Sequence, residues 1–287
     1  MQKVGFIGLG IMGKPMVMNL IKAGYPVQIL EKSSAAKEVS EAGATVFQNI
    51  ATLAAASDII ITMLPDSPQV EEVVFGSDGV LQGIREGSLF IDMSTIAPAT
   101  ARNLHAALQQ KGVEALDAPV SGGQVGAESA SLSIMAGGSS AAFERALPLF
   151  QVMGKNIVHI GEQGAGQTTK ACNQMIVGMT IQAVAEAFTL AGKAGVNLEK
   201  MREVLLGGFA QSRILDLHGK RMIDGNFKPG FKIRLHKKDM DIALETGKEL
   251  SVPLTGTSQV AVQMQHAVDM GNGELDHSAL YLVLKES

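Results

Sequence analysis

"KVGFIGLGIMGKPM" (residues 3–16) places glycines at 8, 10 and 13 directly behind a short apolar run and opens a segment whose Met12, Met16 and Leu20 share one helical face. Strand, glycine turn and helix in that order form the first half of a βαβ unit. Its glycines permit a tight turn, close approach of a pyrophosphate, and close packing of helix on strand. The helix N-terminus then faces the phosphates. The next apolar run, "PVQILE", ends on Glu31, 18 residues beyond Gly13. A carboxylate near that spacing is placed to bind the adenosine ribose hydroxyls of a dinucleotide. It repels a 2′-phosphate, which favours NAD(H), while Lys32 beside it offers a cation to such a phosphate and leaves NADP(H) open. The expected cofactor set around the loop is Gly8, Leu9, Gly10, Ile11, Met12 and Gly13, with Glu31 and Lys32.

The pattern continues outward. "DIIITMLP", "SLFIDMS", "EALDAPV", "LSIMAGG" and "NIVHIG" are further apolar runs separated by helical stretches, up to about residue 160. Runs such as Ile59 to Ile61, without polar alternation, fit strands buried on both faces, so a mainly parallel sheet covered by helices is expected. After Gly166 the apolar positions take helical spacing in "MIVGMTIQAVAEAFTLAGKAGV", "LEKMREVLLGG", "KKDMDIALETGKEL" and "GTSQVAVQMQHAVDM". The boundary falls in "GEQGAG" (161–166), giving an α/β dinucleotide-binding domain over 1–163 and an all-α domain over 164–287 opened by a long helix from about Gly166 to Ala191.

Composition narrows the classes. The 287 residues are 46% hydrophobic and 18% charged, with a net charge of −4, which supplies no electrostatic footprint for nucleic acid or an anionic membrane surface. The uncharged run Ala171 to Ala185 carries Asn173, Gln174 and Gln182 and is shorter than the roughly 20 apolar residues a span needs, so no membrane segment is expected. The single cysteine, Cys172, cannot form an intrachain disulfide, suits a reducing cytoplasm, and reads as a buried small residue. The six histidines show no metal-ligand spacing, so no metal site is expected.

Three stretches fall where parallel strands end and ligands of open α/β sheets bind. "TMLPDSP" (62–68) offers Met63, Leu64 and Pro65, and "DMSTIAP" (92–98) offers Ser94 and Thr95, as cofactor contacts or as turns with helix caps. "DAPVSGG" offers Ser121, Gly122 and Gly123, a hydroxyl and backbone N–H groups suited to a carboxylate, or a plain glycine turn. Lys170 is the only charged residue between Glu162 and Glu186. Early in a helix a lysine opposes the dipole. Two readings fit: its stem packs while the ammonium reaches water, or a partly desolvated ammonium near a second cation acts as a proton donor and acceptor. Asn173 and Gln174 share its helical face and would orient it or the substrate.

Taken together, "GFIGLGIMGKPM", "MLPDSP", "DMSTIAP", "DAPVSGG", "GAGQTTKACNQ" and "FKIRLHKKDM" resemble the β-hydroxyacid dehydrogenase family from end to end, and "KxxNQ" is similar to its tartronate semialdehyde branch. The resemblance implies a Rossmann-type domain followed by an all-α domain, a nicotinamide cofactor, a small aldehyde-acid or hydroxyacid substrate, and homodimers or homotetramers built through the helical domain. It implies that Lys170 is the catalytic lysine, that Ser121, Gly122 and Gly123 bind substrate with Asn173 or Gln174, and that Lys238 and Asp239 approach substrate and cofactor from the helical domain. The implied reaction is reversible NAD(P)H-dependent reduction of tartronate semialdehyde to glycerate. 3-Hydroxyisobutyrate oxidation, succinic semialdehyde or glyoxylate reduction, and a non-catalytic dinucleotide-binding scaffold are the alternatives. Three departures stand out: Gln174 four residues after the lysine where the family commonly has asparagine, with Asn173 one earlier; Ala130–Ser131 where the family usually has Gly-Thr; and Arg213 where a smaller residue is common.

Overall fold

A computed structural model describes residues 1–33 and 35–285. Contacts divide the chain into one unit over Met1–Lys170 and a second over Ala171–Ser287.

The first unit is built on a nine-stranded sheet. Its strands are β1 (Val4–Ile7), β2 (Val27–Leu30), β3 (Thr45–Phe47), β4 (Ile59–Thr62), β5 (Leu89–Asp92), β6 (Glu114–Asp117), β7 (Val120–Ser121), β8 (Leu132–Gly137) and β9 (Gly154–Gly161). They lie in the order β3-β2-β1-β4-β5-β6-β8-β7, with β9 also on β8. The strands from β3 to β6 are parallel, β8 runs antiparallel to β6 and β7, and β9 is parallel to β8. The chain order reverses direction at β1, which lies between β2 and β4. That switch point opens a crevice at the strands' carboxyl ends.

The apolar runs divide between the two faces with a period of two. Phe6, Ile59, Ile61 and Ile91 belong to one core, and Ile7, Ile60 and Phe90 to the other, all fully or nearly fully buried. The parallel strands are therefore covered on both sides, as their lack of polar alternation requires. Two strands escape the sequence pattern. β3 is an edge strand with exposed Thr45 and Val46, and β7 has only two residues. Neither presents a buried apolar run to be recognised. Ala130 takes the left-handed turn into β8 with φ of 52°, the position where the family resemblance calls for glycine.

The second unit is helical; among the described residues it holds only an isolated bridge between Lys232 and Asp276 in place of strands. The long helix Ala165–Lys193 runs through the division between units, at about 1.5 Å per residue. By length and composition it is apolar enough to cross a membrane, which the uncharged-run argument did not recognise. Its Ile181, Ala185 and Phe188 are instead fully buried in the second unit's core with Met240 and Met264. Cys172 corrects the sequence reading: it is exposed, on the same helix as exposed Ile176 one turn on. The uncharged stretch has helical spacing on more than one face, so burial of a given position is not readable from it. The helix Arg213–Asp224, missing from the periodic reading, begins at Ser212, whose hydroxyl accepts the Leu215 N–H at 2.9 Å. Its Gly219 faces Phe188, where a Cβ would lie 3.3 Å from the ring.

Candidate active site

The residues singled out by sequence fall into a group in each unit. In the first, the glycine loop follows β1 into the helix Gly13–Lys22. Gly8 has φ of 108°, and a Cβ there would sit 2.2 Å from the Met63 carbonyl oxygen. A Cβ on Gly13 would sit 1.8 Å from the Gly8 carbonyl oxygen. Both are required by the fold itself. Gly10 differs: it is exposed, and a Cβ there would meet nothing within 4 Å. No internal packing demands glycine at 10, which fits close approach by an outside group such as a pyrophosphate. The helix that follows has no acidic residue in its first turn, so its positive end is open to an anion.

At the end of β2 the Glu31 N–H donates to the Phe47 carbonyl at 3.0 Å. Its carboxylate and Lys32 are exposed and unpaired among the described residues. Beyond β4, Leu64 donates its N–H to the Ser94 hydroxyl at 2.9 Å, while Asp66 accepts from Ser67 as cap of the helix Ser67–Phe75. Ser94 is fully buried, so its hydroxyl clips the ends of β4 and β5 together. Thr95, Met63 and Leu64 are half-buried and Pro65 is exposed. These stretches thus serve as turns and caps, with a few side chains still open to a ligand. Ser121 is half-buried and makes no side-chain hydrogen bond among the described residues; Gly122 and Gly123 follow with φ of 136° and 61°. A Cβ on Gly123 would meet nothing within 4 Å, another open approach.

The start of the Lys170 helix rests on a residue to which the sequence analysis assigned no role. Asp117, at the end of β6, accepts the Gly164 N–H through Oδ1 and the Gln167 N–H through Oδ2, each at 2.8 Å. It thereby satisfies two of the orphan donors of the helix's first turn. Gln167 is nearly fully buried; its amide donates to the Ser94 carbonyl at 2.8 Å and its oxygen accepts the Ile96 N–H at 3.1 Å. Gly137 and Gly166 make this possible, since a Cβ on either would lie within 2.6 Å of Asp117 atoms. The acid at a strand end followed by "GEQGAG" was the available signal. Burial pushes the Asp117 carboxyl up to about 6, against the two N–H donors, and Asp92 adds to the rise. His105, with Nε2 3.8 Å from Asp117 Oδ1, is lowered by burial to about 4. Lys170 follows on this anchored helix with only 6% of its surface exposed.

In the second unit, Asn173 donates its amide to Gln174 Oε1 at 2.8 Å, and Gln174 donates in turn to Asp239 Oδ2. Lys238 Nζ lies 3.0 Å from Asp239 Oδ1. The helix Ile233–Glu249 carries both charged residues. Four expected site residues are therefore joined in one polar chain. Gln174 is 5% exposed and spends both ends of its amide in that chain; Asn173 is half-buried and keeps its carbonyl oxygen unengaged among the described residues. Arg213 is exposed at the start of its helix, without an ion pair among the described residues. His218, Asp276 and His277 offer ligand atoms within 4.8 Å of one another, a disposition that chain spacing did not reveal. Arg221 already supplies the counter-charge there, 3.0 Å from Asp276 Oδ2.

A family model described as the NAD binding domain of 6-phosphogluconate dehydrogenase matches residues 3–161, and one described as NAD-binding of NADP-dependent 3-hydroxyisobutyrate dehydrogenase matches residues 164–284. The chain is 46% identical to the 2-hydroxy-3-oxopropionate reductase of Escherichia coli, covering 99% of this chain and 97% of that one. It is 40% identical to the 2-(hydroxymethyl)glutarate dehydrogenase of Eubacterium barkeri, covering 99% and 95%. Among solved structures, the Mycobacterium tuberculosis 3-hydroxyisobutyrate dehydrogenase with L-serine matches with a TM-score of 0.91 at 34% identity, covering 99% of both chains.

Proposed function

The chain belongs to the β-hydroxyacid dehydrogenase family of nicotinamide-dependent oxidoreductases acting on CH–OH groups, and from that membership we propose that it reduces tartronate semialdehyde (2-hydroxy-3-oxopropanoate) to glycerate, reversibly, with NADH. The observation that carries the substrate choice is the 46% identity, over nearly the whole of both chains, to the 2-hydroxy-3-oxopropionate reductase of Escherichia coli. A 3-hydroxyisobutyrate activity is the second reading, supported by the 0.91 TM-score to a dehydrogenase of that name.

Gly8 to Gly13 would hold the pyrophosphate at the helix N-terminus, with Met63, Leu64, Pro65 and Thr95 lining the approach and Ser94 fixing their backbone. Glu31 would take the ribose hydroxyls, and its open carboxylate supports NADH over NADPH; Lys32 is the residue through which NADPH would be accepted. When bound, the nicotinamide supplies the hydride that reduces the aldehyde carbon. The protein's share is placement and a proton. Lys170, nearly buried, polarises the carbonyl and donates a proton to the developing alkoxide; in the reverse direction it takes that proton back. Ser121, Gly122 and Gly123 hold the carboxylate through the hydroxyl and exposed N–H groups. Asn173 contacts the substrate with its unengaged oxygen, while Gln174 orients it. Lys238, kept in place by Asp239, adds positive charge for an acidic substrate and cofactor. Exposed Ile176, Leu190 and Phe209 in the second unit support a homodimer or homotetramer, and we place the enzyme in the cytoplasm.

The test is initial-rate oxidation of NADH and NADPH with tartronate semialdehyde, succinic semialdehyde, methylmalonate semialdehyde and glyoxylate. A kcat/KM at least about a hundredfold higher for tartronate semialdehyde than for the others, roughly 2.7 kcal/mol of discrimination, is expected with NADH. Lys170→Ala is expected to retain NADH binding and lose turnover; near-normal turnover refutes its role.

A further inference from the structure

Three histidines that the reaction does not use lie in line within the second unit. His236 Nε2 is 3.0 Å from the Gln174 carbonyl oxygen, His236 Nδ1 is 3.0 Å from His277 Nδ1, and His277 Nε2 is 3.2 Å from His218 Nε2. The far ring nitrogen, His218 Nδ1, lies 3.5 Å from Asp276 Oδ1. His236 is fully buried, His277 nearly so, and Phe231 closes their flank with ring centroids 5.7 and 5.6 Å away.

Hydrogen-bond chemistry sets the direction of this line. A carbonyl oxygen only accepts, so His236 must carry its proton on Nε2. A neutral His236 then presents a lone pair at Nδ1, so His277 must carry its proton on Nδ1. Neutral His277 in turn accepts at Nε2, so His218 must donate from Nε2. The remaining His218 nitrogen faces the Asp276 carboxylate, and a lone pair there would be repelled. The three hydrogen bonds of the line are satisfied, and the 3.5 Å approach of His218 Nδ1 to Asp276 becomes an ion contact, when His218 carries protons on both nitrogens and the two inner histidines are neutral.

We propose that His236, His277 and His218 form a one-way hydrogen-bonded chain, anchored by an imidazolium at His218 against Asp276, that positions Asn173 and Gln174 for the reaction through the Gln174 carbonyl. The charged groups around its outer end agree. Burial would raise the Asp276 carboxyl, yet the His218 contact, the Ser278 hydroxyl and the Gly230 N–H hold it well below the usual carboxylate range. Burial, aided by the charged His218, keeps His277 well below the usual imidazole range, hence neutral. Arg221 pairs with the other Asp276 oxygen at 3.0 Å and donates to the Lys228 carbonyl, so it stays with the acid. At the inner end Gly178 leaves room for the ring: a Cβ there would lie 3.4 Å from His236 Nε2 and 3.2 Å from Met240 Sδ. The carbonyl that receives His236 belongs to the residue whose side chain bonds both Asn173 and Asp239, four positions beyond Lys170 on one helix. His236 is thus a positioning residue.

This role rests on the reading of Lys170, Asn173 and Gln174 as active-site residues. The first experiment reads the histidine ring nitrogens of the wild-type protein by 15N NMR, without cofactor or substrate. The chain requires a proton on Nε2 of His236, on Nδ1 of His277, and on both nitrogens of His218. The opposite tautomer at His236 or His277 overturns it, whatever the enzyme's substrate. The second compares His236→Gln, which keeps an N–H donor near the Nε2 position, with His236→Leu, which fills space without one. His236→Leu is expected to lose about thirtyfold in kcat with little change in the KM for NADH, and His236→Gln to stay within about fivefold of wild type. Equal activity of the leucine variant and wild type overturns the positioning role alone. Wild-type protein with the stated tautomers but no turnover on any aldehyde acid overturns the functional reading and the positioning role with it. If His236→Leu does not fold, the wild-type tautomers and the glutamine variant still decide.

Discussion

Asp117 and His105 titrate in opposite senses at one place, and that opposition is measurable. His105 falls from 6.5 to about 4 on folding, so its contribution to stability is fully present above 6.5 and is lost as pH falls toward 4. Asp117 rises from 3.8 to about 6, so its contribution is fully present below 3.8 and is lost as pH rises through 6. Between roughly pH 4 and pH 6 the two slopes oppose each other, each near 1.4 kcal/mol per pH unit. In the wild type they nearly cancel. Asp117→Asn removes the falling contribution, so from about pH 4.5 to about pH 6 the variant should gain about 2 kcal/mol relative to wild type. His105→Gln removes the rising one and should lose a similar amount over the same range. Each variant also carries an offset from its altered hydrogen bonds, but that offset does not depend on pH. At about 2–4 °C per kcal/mol, the difference in Tm from wild type should change by about 4–8 °C across the range, upward for Asp117→Asn and downward for His105→Gln. Calorimetric Tm values at three pH points suffice. Curves for the two variants that run parallel to wild type would refute the buried, mutually opposed pair and with it the account of how the Lys170 helix is anchored.

Two glycines of the loop should separate folding from binding. Gly13→Ala forces a Cβ to 1.8 Å from the Gly8 carbonyl oxygen and should lower Tm as well as abolish NADH binding, whereas Gly10→Ala meets nothing within 4 Å and should leave Tm unchanged while weakening NADH about tenfold, roughly 1.4 kcal/mol, in a fluorescence titration. Glu31→Gln should move the ratio of kcat/KM for NADH to NADPH by about tenfold toward NADPH, since the carboxylate that repels the 2′-phosphate is gone; an unchanged ratio would assign cofactor choice to other residues.

Much of this protein was legible because its signals are local. The parallel strands are short apolar runs buried on both faces, the first glycine loop lies within one βαβ unit, and Asn173 and Gln174 are tied to Lys170 by helical spacing. What escaped reading either presents no buried apolar pattern or depends on contacts distant in sequence. β3 is an exposed edge, and β7 is too short to carry a pattern. Cys172 sits in an uncharged stretch of its helix whose exposed face only packing reveals. Asp117 reaches Gly164 and Gln167 across 47 and 50 positions, and His236 reaches Gln174 across 62.

The amino-acid sequence by itself determined the succession of buried strands and most helices, the nucleotide-type loop and the candidate lysine, because turn geometry and hydrophobic period act between near neighbours. Only the tertiary structure decided which glycines are demanded by the fold and which are left open to a ligand. It also decided which acid anchors the lysine's helix, and that three scattered histidines stand in one line. Those outcomes depend on burial and on hydrogen-bond direction in three dimensions, and neither is encoded in spacing along the chain.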